Sequence, residues 1–115
     1  MSAECLFCKI INGETPSNIV EQNEYAMAFR DINSQAPIHI LVIPKEHIAS
    51  CRELNKENIY YFAEMALMAE KVAIQEGITE HGYRWVINTG DNGGQTVDHI
   101  HLHLLGGRNM TWPPG

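Results

Sequence analysis

The stretch Asp98-His99-Ile100-His101-Leu102-His103-Leu104-Leu105 decides the fold, because imidazole and apolar side chains alternate along it. Successive side chains of a β-strand point to opposite faces of a sheet. The stretch therefore predicts a strand with an apolar face against a core and three histidines in a row on the other face. Thr, Lys or Glu would satisfy this alternation equally well, so the imidazole row is either a functional site or three exposed, unrelated histidines.

A glycine-rich turn, Gly90-Asp91-Asn92-Gly93-Gly94, precedes the histidine stretch. Backbone N–H groups in such a turn can converge on an anion, and Gln95 and Thr96 add side-chain donors. No Gly-Lys-Ser/Thr follows, so the turn is not a P-loop. A metal ion shared by all three histidines is disfavoured, because the outer two would lie roughly 13 Å apart on a flat strand. The combination predicts phosphoryl chemistry in which one imidazole attacks and the others orient the substrate and donate protons.

The remaining pattern predicts an α+β fold with a largely antiparallel sheet. The other predicted strands are Asn18 to Glu21, Tyr25 to Arg30, Ile38 to Ile43 and Arg84 to Asn88. The third of these is apolar on both faces except for His39, which is either a satisfied core histidine or part of the site. The tail 106–115 is predicted to be irregular.

Two helices are predicted, a short one from Leu6 to Asn12 and a long one that Asn55 caps and Gly77 ends. Apolar residues cover two sides of the long helix. One stripe contains Ile59, Phe62, Ala66, Ala69 and Ala73, and beside it lie Met65, Met68 and Val72. This arrangement predicts either core packing plus a subunit contact or a single wide core face.

The 115 residues are expected to form a single domain, 1–115. The formal net charge is −6, and the eight basic residues are spread singly. This distribution argues against binding to a nucleic-acid polymer. No apolar run approaches the length of a membrane span, and residues 1–9 do not resemble a signal peptide. We therefore expect a cytoplasmic protein without a membrane partner.

Three cysteines without a secretory signal argue against a disulfide framework. Cys51 stands alone and is expected to be a half-buried thiol. Cys5 and Cys8 form a Cys-x-x-Cys pair that, with His47 and one histidine of the row, could complete a Cys₂His₂ zinc site. The alternatives are a redox pair, or two cysteines that simply pack the start of the first helix.

The histidine stretch resembles the signature of the histidine-triad family, His-x-His-x-His-x-x with x apolar. Further segments look like the Hint branch of that family and cover nearly the whole chain. They are Phe7-Cys8-Lys9-Ile10-Ile11, Ala28-Phe29-Arg30-Asp31-Ile32, Gln35-Ala36-Pro37-Ile38-His39-Ile40-Leu41-Val42-Ile43-Pro44-Lys45, Gly93-Gly94-Gln95, Leu105-Gly106-Gly107-Arg108 and Trp112-Pro113-Pro114-Gly115.

The resemblance implies a homodimer built on a mainly antiparallel five-stranded sheet with one long and one short helix, the tail lying near the dimer interface. It implies hydrolysis of purine nucleoside phosphoramidates to the nucleoside monophosphate and an amine, with no cofactor needed for the chemistry. The alternatives are a dinucleoside polyphosphate hydrolase of the fragile-histidine-triad type, or a nucleotide- or zinc-binding regulatory module with little turnover.

The same resemblance assigns roles to residues. It makes His101 the nucleophile, with His39 and His99 orienting and tuning it. The implied phosphate-binding residues are His103, Asn88, Gln95 and Thr96. Asp31 would bind the ribose hydroxyls, and Trp112 would reach the partner subunit's site. The implied base pocket consists of Phe7, Ile10, Phe29 and Ile32.

The sequence departs from the family pattern at two positions. Thr96 stands where Ser is common, and Asp98 stands where a bulky residue is often found. Cys5, Cys8 and His47 also resemble a zinc-binding subgroup in which the first triad histidine completes a structural zinc site. In that case His99 would serve zinc rather than catalysis.

Overall fold

The computed structural model describes residues 4–115, which contain a five-stranded antiparallel sheet in the order β1-β2-β3-β5-β4. The strands are β1 (Ile19–Gln22), β2 (Ala26–Arg30), β3 (Ile38–Pro44), β4 (Tyr83–Val86) and β5 (Leu102–Gly106). In the central pair Leu41 lies opposite His103, and His39 lies opposite Leu105. The predicted α+β class and antiparallel sheet are confirmed. The tail after β5 is irregular, also as predicted.

The helices are α1 (Leu6–Ile11), α2 (Ile59–Gln75) and the one-turn α3 (Gly90–Gly93), with a 3₁₀ turn at Cys51–Glu53. The prediction of one long and one short helix therefore missed α3, which lies where a turn was expected. Asn55 was predicted to cap the long helix, and its Oδ1 does accept from the N–H groups of residues 57 and 58. Those bonds close a turn, however, and α2 begins only after it. None of these helices is both long and apolar enough to cross a membrane.

Each face of the sheet is covered by one helix, so β3 is buried on both sides as its sequence predicted. On one face α2 packs over Ile40 and Val42, and on the other α1 packs over Leu41 and Ile43. The buried residues of α2 are Met65, Met68, Ala69, Val72 and Ala73. They come from both predicted stripes, so α2 has the wide core face. Beyond it, α2 still exposes Ile59, Tyr60, Leu67 and Ile74.

The predicted continuous strand from Asp98 to Leu105 is wrong in its first half, because β5 begins only at Leu102. Pro44 has no N–H with which to extend the ladder beyond the end of β3. The chain instead bends at residues 97–99, and the N–H of Ile100 donates to the carbonyl of Ile48 at 2.7 Å. As a result the three histidines do not form one row: His99 lies in the bend and its ring contacts Cys5 and His47, whereas the rings of His101 and His103 lie 5.0 Å apart between centroids.

Candidate active site and metal centre

A cavity of about 280 Å³ lies between α1 and the sheet face that carries the histidines. Three of the residues predicted to form an apolar pocket, Phe7, Ile10 and Phe29, line it and are buried. The fourth, Ile32, also lines it but is fully exposed at the rim. The polar residues that line the cavity include Asp31, Thr96, His101 and His103. An apolar slot with a few convergent polar groups is the usual form of a small-molecule site.

His101 is held in one tautomer by the main chain of His99. Its Nδ1 lies 2.8 Å from the His99 carbonyl oxygen, so Nδ1 carries the hydrogen and donates it. The ring is buried, and the edge-on ring of Phe7 lies 5.1 Å away between centroids. The neutral imidazole therefore keeps its lone pair on Nε2, which is the nucleophilic form of the ring.

A chain of hydrogen bonds fixes the tautomers of the other two imidazoles at the site. The N–H of Gln35 donates to His39 Nδ1 at 3.0 Å, so the hydrogen of a neutral His39 lies on Nε2. That Nε2 lies 2.9 Å from His103 Nδ1 and donates to it. His103 must then carry its own hydrogen on Nε2. His103, which lines the cavity, therefore offers it an N–H donor without a positive charge.

Burial keeps these imidazoles neutral near pH 7. It lowers the pKa of His103 to about 4, with the nearby His101 and His39 acting in the same direction and Asp31 opposing them. Burial also lowers the pKa of His39, again against the attraction of Asp31. The 3.4 Å contact between His39 Nε2 and Asp31 Oδ2 is therefore a contact between a neutral ring and a carboxylate, not an ion pair.

The residues predicted to bind phosphate divide into two groups. Thr96 lines the cavity, whereas Gln95 uses its amide to brace the turn before β5. Gln95 Oε1 accepts from the N–H of Gly90, and its Nε2 donates to the carbonyls of residues 49 and 97. Asn88 is not among the described residues that line the cavity, and neither is Trp112, which is 81% exposed. Gln95 therefore supports the backbone of the turn that borders the site.

No pattern in the sequence pointed to Ser17, which also lines the cavity. Its hydroxyl is buried and finds no hydrogen-bond partner among residues 4–115. The residue lies in the loop between α1 and β1, directly after Pro16, where no periodic pattern marks it. A buried hydroxyl without a partner is costly, and a ligand that supplied a donor or acceptor would remove that cost.

Four side chains of the types that can bind a metal ion converge beside this cavity: Cys5, Cys8, His47 and His99. The two imidazole Nδ1 atoms lie 3.2 Å apart, and the sulfur–nitrogen distances recorded are 3.3, 3.4 and 3.6 Å. Tetrahedral zinc with its usual bond lengths separates two nitrogens by about 3.3 Å, and a nitrogen from a sulfur by about 3.6 Å. The donor set and its spacing therefore fit a four-coordinate metal ion.

The imidazole of His99 belongs to this cluster. Its Nε2 lies 2.9 Å from the carbonyl oxygen of Pro44 and donates to it, which leaves the lone pair on the Nδ1 that faces the cysteines. Burial is also the main cause that lowers the pKa of His99 to about 4, so the ring is neutral. His99 thus contributes its side chain to the cluster and its main-chain carbonyl to His101. Cys51 lies outside the cluster and is half-buried, as predicted.

A second group, Asp31, His39 and His103, is close enough to share an ion. Its hydrogen bonds argue against that role. A metal ion on His39 Nε2 would require the hydrogen on Nδ1, where the N–H of Gln35 already points. This group is better described as a hydrogen-bonded relay.

The family model of the HIT domain matches residues 12–110. The chain belongs to the HIT family. It is 50% identical to the purine nucleoside phosphoramidase of Escherichia coli K12, over 96% of this chain and 92% of that protein. It is also 50% identical to the 14 kDa zinc-binding protein of Zea mays, over 96% and 87% of the two chains. A HIT family hydrolase from Legionella pneumophila has the same fold, with a TM-score of 0.95 and 53% identity, covering 97% of this chain and 100% of that one. The predicted HIT family and fold are confirmed.

Proposed function

We propose that this HIT protein hydrolyses purine nucleoside phosphoramidates through a nucleotidyl intermediate on His101. The observation that carries the proposal is the 2.8 Å hydrogen bond from His101 Nδ1 to the His99 carbonyl beside a nucleotide-sized cavity. This bond places the hydrogen of the imidazole on Nδ1, so that Nε2 is the nitrogen that can carry the lone pair. The E. coli relative named purine nucleoside phosphoramidase supports the substrate class.

The cavity offers a complementary group for each part of such a substrate. A purine is flat and apolar on its faces, which suits the apolar cavity wall that Phe7 and Phe29 form together, with their rings in edge-on contact at 5.5 Å between centroids. The carboxylate of Asp31 can accept from the ribose hydroxyls. The Thr96 hydroxyl and His103 Nε2–H are donors for the phosphoryl oxygens.

In the first step, His101 Nε2 attacks phosphorus, a nitrogen–phosphorus bond forms and the bond to the amine breaks. The departing amine takes up one proton from water, while the neutral His103 keeps its Nε2–H as a hydrogen-bond donor to the phosphoryl oxygens. The hydroxide so formed attacks phosphorus, the nitrogen–phosphorus bond to His101 breaks, and the nucleoside monophosphate and free His101 are released. One difficult displacement thus becomes two easier ones. Because the phosphoryl charge is mainly redistributed, fixed neutral donors suit this chemistry.

The test is to mix the protein with adenosine 5′-phosphoramidate and detect nucleotidyl-protein by intact mass after a rapid alkaline quench, which preserves a phosphorus–nitrogen bond. We expect the adduct on His101, and His101→Ala should abolish both adduct and turnover. The matched control is His81→Ala, because His81 is exposed and lies outside the cavity. Equal turnover by wild type and His101→Ala would refute the proposal. Faster turnover of a dinucleoside polyphosphate would favour the alternative hydrolase.

We also propose that Cys5, Cys8, His47 and His99 hold a structural zinc ion. The donor spacing supports it, as does the Zea mays relative named as zinc-binding. A bound zinc ion would cross-link α1 to the segment before β5, and all four positions would be protein ligands. Elemental analysis of protein purified without added metal should give close to one zinc per chain. Cys8→Ala should lose it, whereas Cys51→Ala should keep it; a metal-free wild type would contradict the proposal.

We further propose that the protein is a homodimer. Leu67 and Ile74, one heptad apart on α2, are 66% and 69% exposed, and Trp85 is exposed on the edge strand β4. Exposed apolar side chains on a helix and on an unpaired edge strand favour a partner surface. Sedimentation should give twice the chain mass, and Leu67→Asp should lower it. Lys56→Asp, in the exposed turn before α2, is the control. A monomeric wild type would count against the proposal.

A further inference from the structure

Helix α1 connects the metal cluster to the wall of the cavity. Cys5 caps α1, with its Sγ 3.4 Å from the N–H of Cys8, and both sulfurs lie in the cluster. Phe7 lies between these two cysteines in sequence. Its ring meets His101 edge-on at 5.1 Å and His99 at 5.8 Å between centroids. Any movement of the cysteines must therefore move the ring that packs on His101.

His99 makes a second, shorter connection. Its Nδ1 lies in the cluster, its Nε2 is anchored on the Pro44 carbonyl, and its main-chain oxygen accepts from His101 Nδ1. The side chain is completely buried, so it has little room to change its rotamer alone. The bond that selects the tautomer of His101 is thus made by the same residue that closes the cluster.

We propose that the four cluster residues, Cys5, Cys8, His47 and His99, are positioning residues for the reaction at His101. This inference rests on the proposed function and on the zinc ion proposed for the cluster. Four metal–ligand bonds would fix His99 and the first turn of α1 together. Without the ion, the cluster itself holds them by thiol and imidazole hydrogen bonds, which are weaker and can exchange partners, beside the edge-on contact of Phe7 with His99.

The expected effect follows from these two connections. If the His99 carbonyl and Phe7 shift, the hydrogen of His101 is no longer confined to Nδ1. Its Nε2 is then no longer oriented toward phosphorus. Misplacing a reacting group by about 1 Å can cost roughly 100-fold in rate, and loss of groups that orient a site typically costs about 10- to 100-fold. We therefore expect the rate of nucleotidyl-His101 formation to fall by about 10- to 100-fold when the metal is removed.

The test combines that rate with a readout that needs no substrate. Histidine ring ¹⁵N NMR of the metal-loaded protein should show His101 as the single Nδ1–H tautomer. After chelation, its ring nitrogens should shift toward a mixture of tautomers, and zinc should restore both the spectrum and the rate. An unchanged His101 spectrum in protein that elemental analysis shows to be metal-free would overturn the inference. The spectrum decides this even if phosphoramidates prove not to be substrates, so the two proposals can fail separately.

Two substitutions of His47 test the positioning role of the cluster without a chelator. His47 is the half-buried residue of the cluster, and its ring contacts Cys8 and the ring of His99, so it would act on His101 through them. His47→Ala should lose metal, disturb the His101 tautomer and slow nucleotidylation, whereas His47→Cys keeps a metal-binding atom and should preserve all three. Equal His101 spectra and rates in the two variants, with metal lost only from His47→Ala, would overturn the inference. Cys51→Ala, outside the cluster, should behave as wild type.

Discussion

His39 Nε2 lies 2.9 Å from His103 Nδ1, and the direction of this hydrogen bond is set by a backbone N–H on the far side of His39. Gln35 donates to His39, His39 donates to His103, and His103 is left with a donor for the cavity. Burial keeps both rings neutral. The site thus offers an N–H donor to an anionic substrate without a charged side chain, in a place where a buried charge would be costly.

Removing the middle member of this relay should reduce catalysis. In His39→Ala, His103 loses the donor that selects its tautomer, so its hydrogen can move to Nδ1 and away from the cavity. We expect kcat/KM to fall by about 10- to 100-fold, the equivalent of roughly 1.5–3 kcal/mol. His39→Gln can still donate and should lose less. Steady-state assays with His81→Ala as control check this, and equal activity of His39→Ala and wild type would contradict the relay.

The low pKa of His103 predicts how stability depends on pH. Its pKa is about 4 when folded and near 6.5 in an unfolded chain. Between these values the unfolded state binds a proton that the folded state does not bind. The contribution of His103 to the free energy of unfolding is therefore complete above pH 6.5 and is lost as pH falls toward 4. The slope approaches 1.4 kcal/mol per pH unit at about the middle of that window. His39 acts in the same direction.

Urea unfolding at several values between pH 7 and pH 4.5 measures this slope. His103→Gln removes the titrating group and should show a shallower loss of unfolding free energy over the same range. His81→Ala, which removes an exposed histidine, should keep the wild-type slope. A His103→Gln slope equal to that of wild type would show that His103 titrates normally in the folded protein.

The parts of the fold that sequence predicts well are those set by local pattern. The unbroken apolar run of β3 requires cover on both faces, and α1 and α2 provide it. The start of β5 is different, because it depends on a segment distant in sequence. Pro44 cannot extend the ladder, and Ile48 offers a carbonyl to Ile100 instead. Alternation alone could not reveal that His99 would turn away from His101.

The candidate site likewise has features that local sequence pattern predicts and features that depend on contacts between distant segments. The cluster of Cys5, Cys8, His47 and His99 was suggested by residue type and spacing, but only the tertiary structure shows that His99 serves it with the ring and serves His101 with the main chain. Gln95 was expected to face phosphate, and its amide is instead used up by three backbone groups. Such a competition between partners is a property of the folded chain.

Gly106, at the end of β5, should not tolerate a side chain. A Cβ there would lie 2.6 Å from Ile78 Cδ1 and 3.1 Å from Ile78 Cβ and Cγ2, in the core beneath α2. Gly106→Ala should lower the free energy of unfolding by about 1–3 kcal/mol. Gly93→Ala is the matched control, because its nearest neighbour would be at an ordinary 3.7 Å and its φ is not in the left-handed region. Equal melting temperatures of the two variants would contradict the packing argument.

Asp31 should distinguish ribose from deoxyribose. Its Oδ1 accepts from the N–H of Asn33 at 2.8 Å, and its half-buried carboxylate lines the cavity. In Asp31→Asn one oxygen can keep that bond, while the second acceptor becomes an N–H₂ donor. A bond from a hydroxyl to a charged acceptor contributes about 1.5–3 kcal/mol. We therefore expect kcat/KM for adenosine phosphoramidate to fall by roughly 10- to 100-fold.

The same substitution should change kcat/KM for the 2′-deoxyadenosine substrate much less, because that substrate lacks one of the two hydroxyls. Comparing two substrates in each protein cancels any general damage that Asp31→Asn does to His39 or to the fold. The quantity to measure is the ratio of kcat/KM for the ribose and deoxyribose substrates, which should be high in wild type and approach one in the variant. An equal loss for both substrates would mean that Asp31 acts through His39 rather than on the sugar.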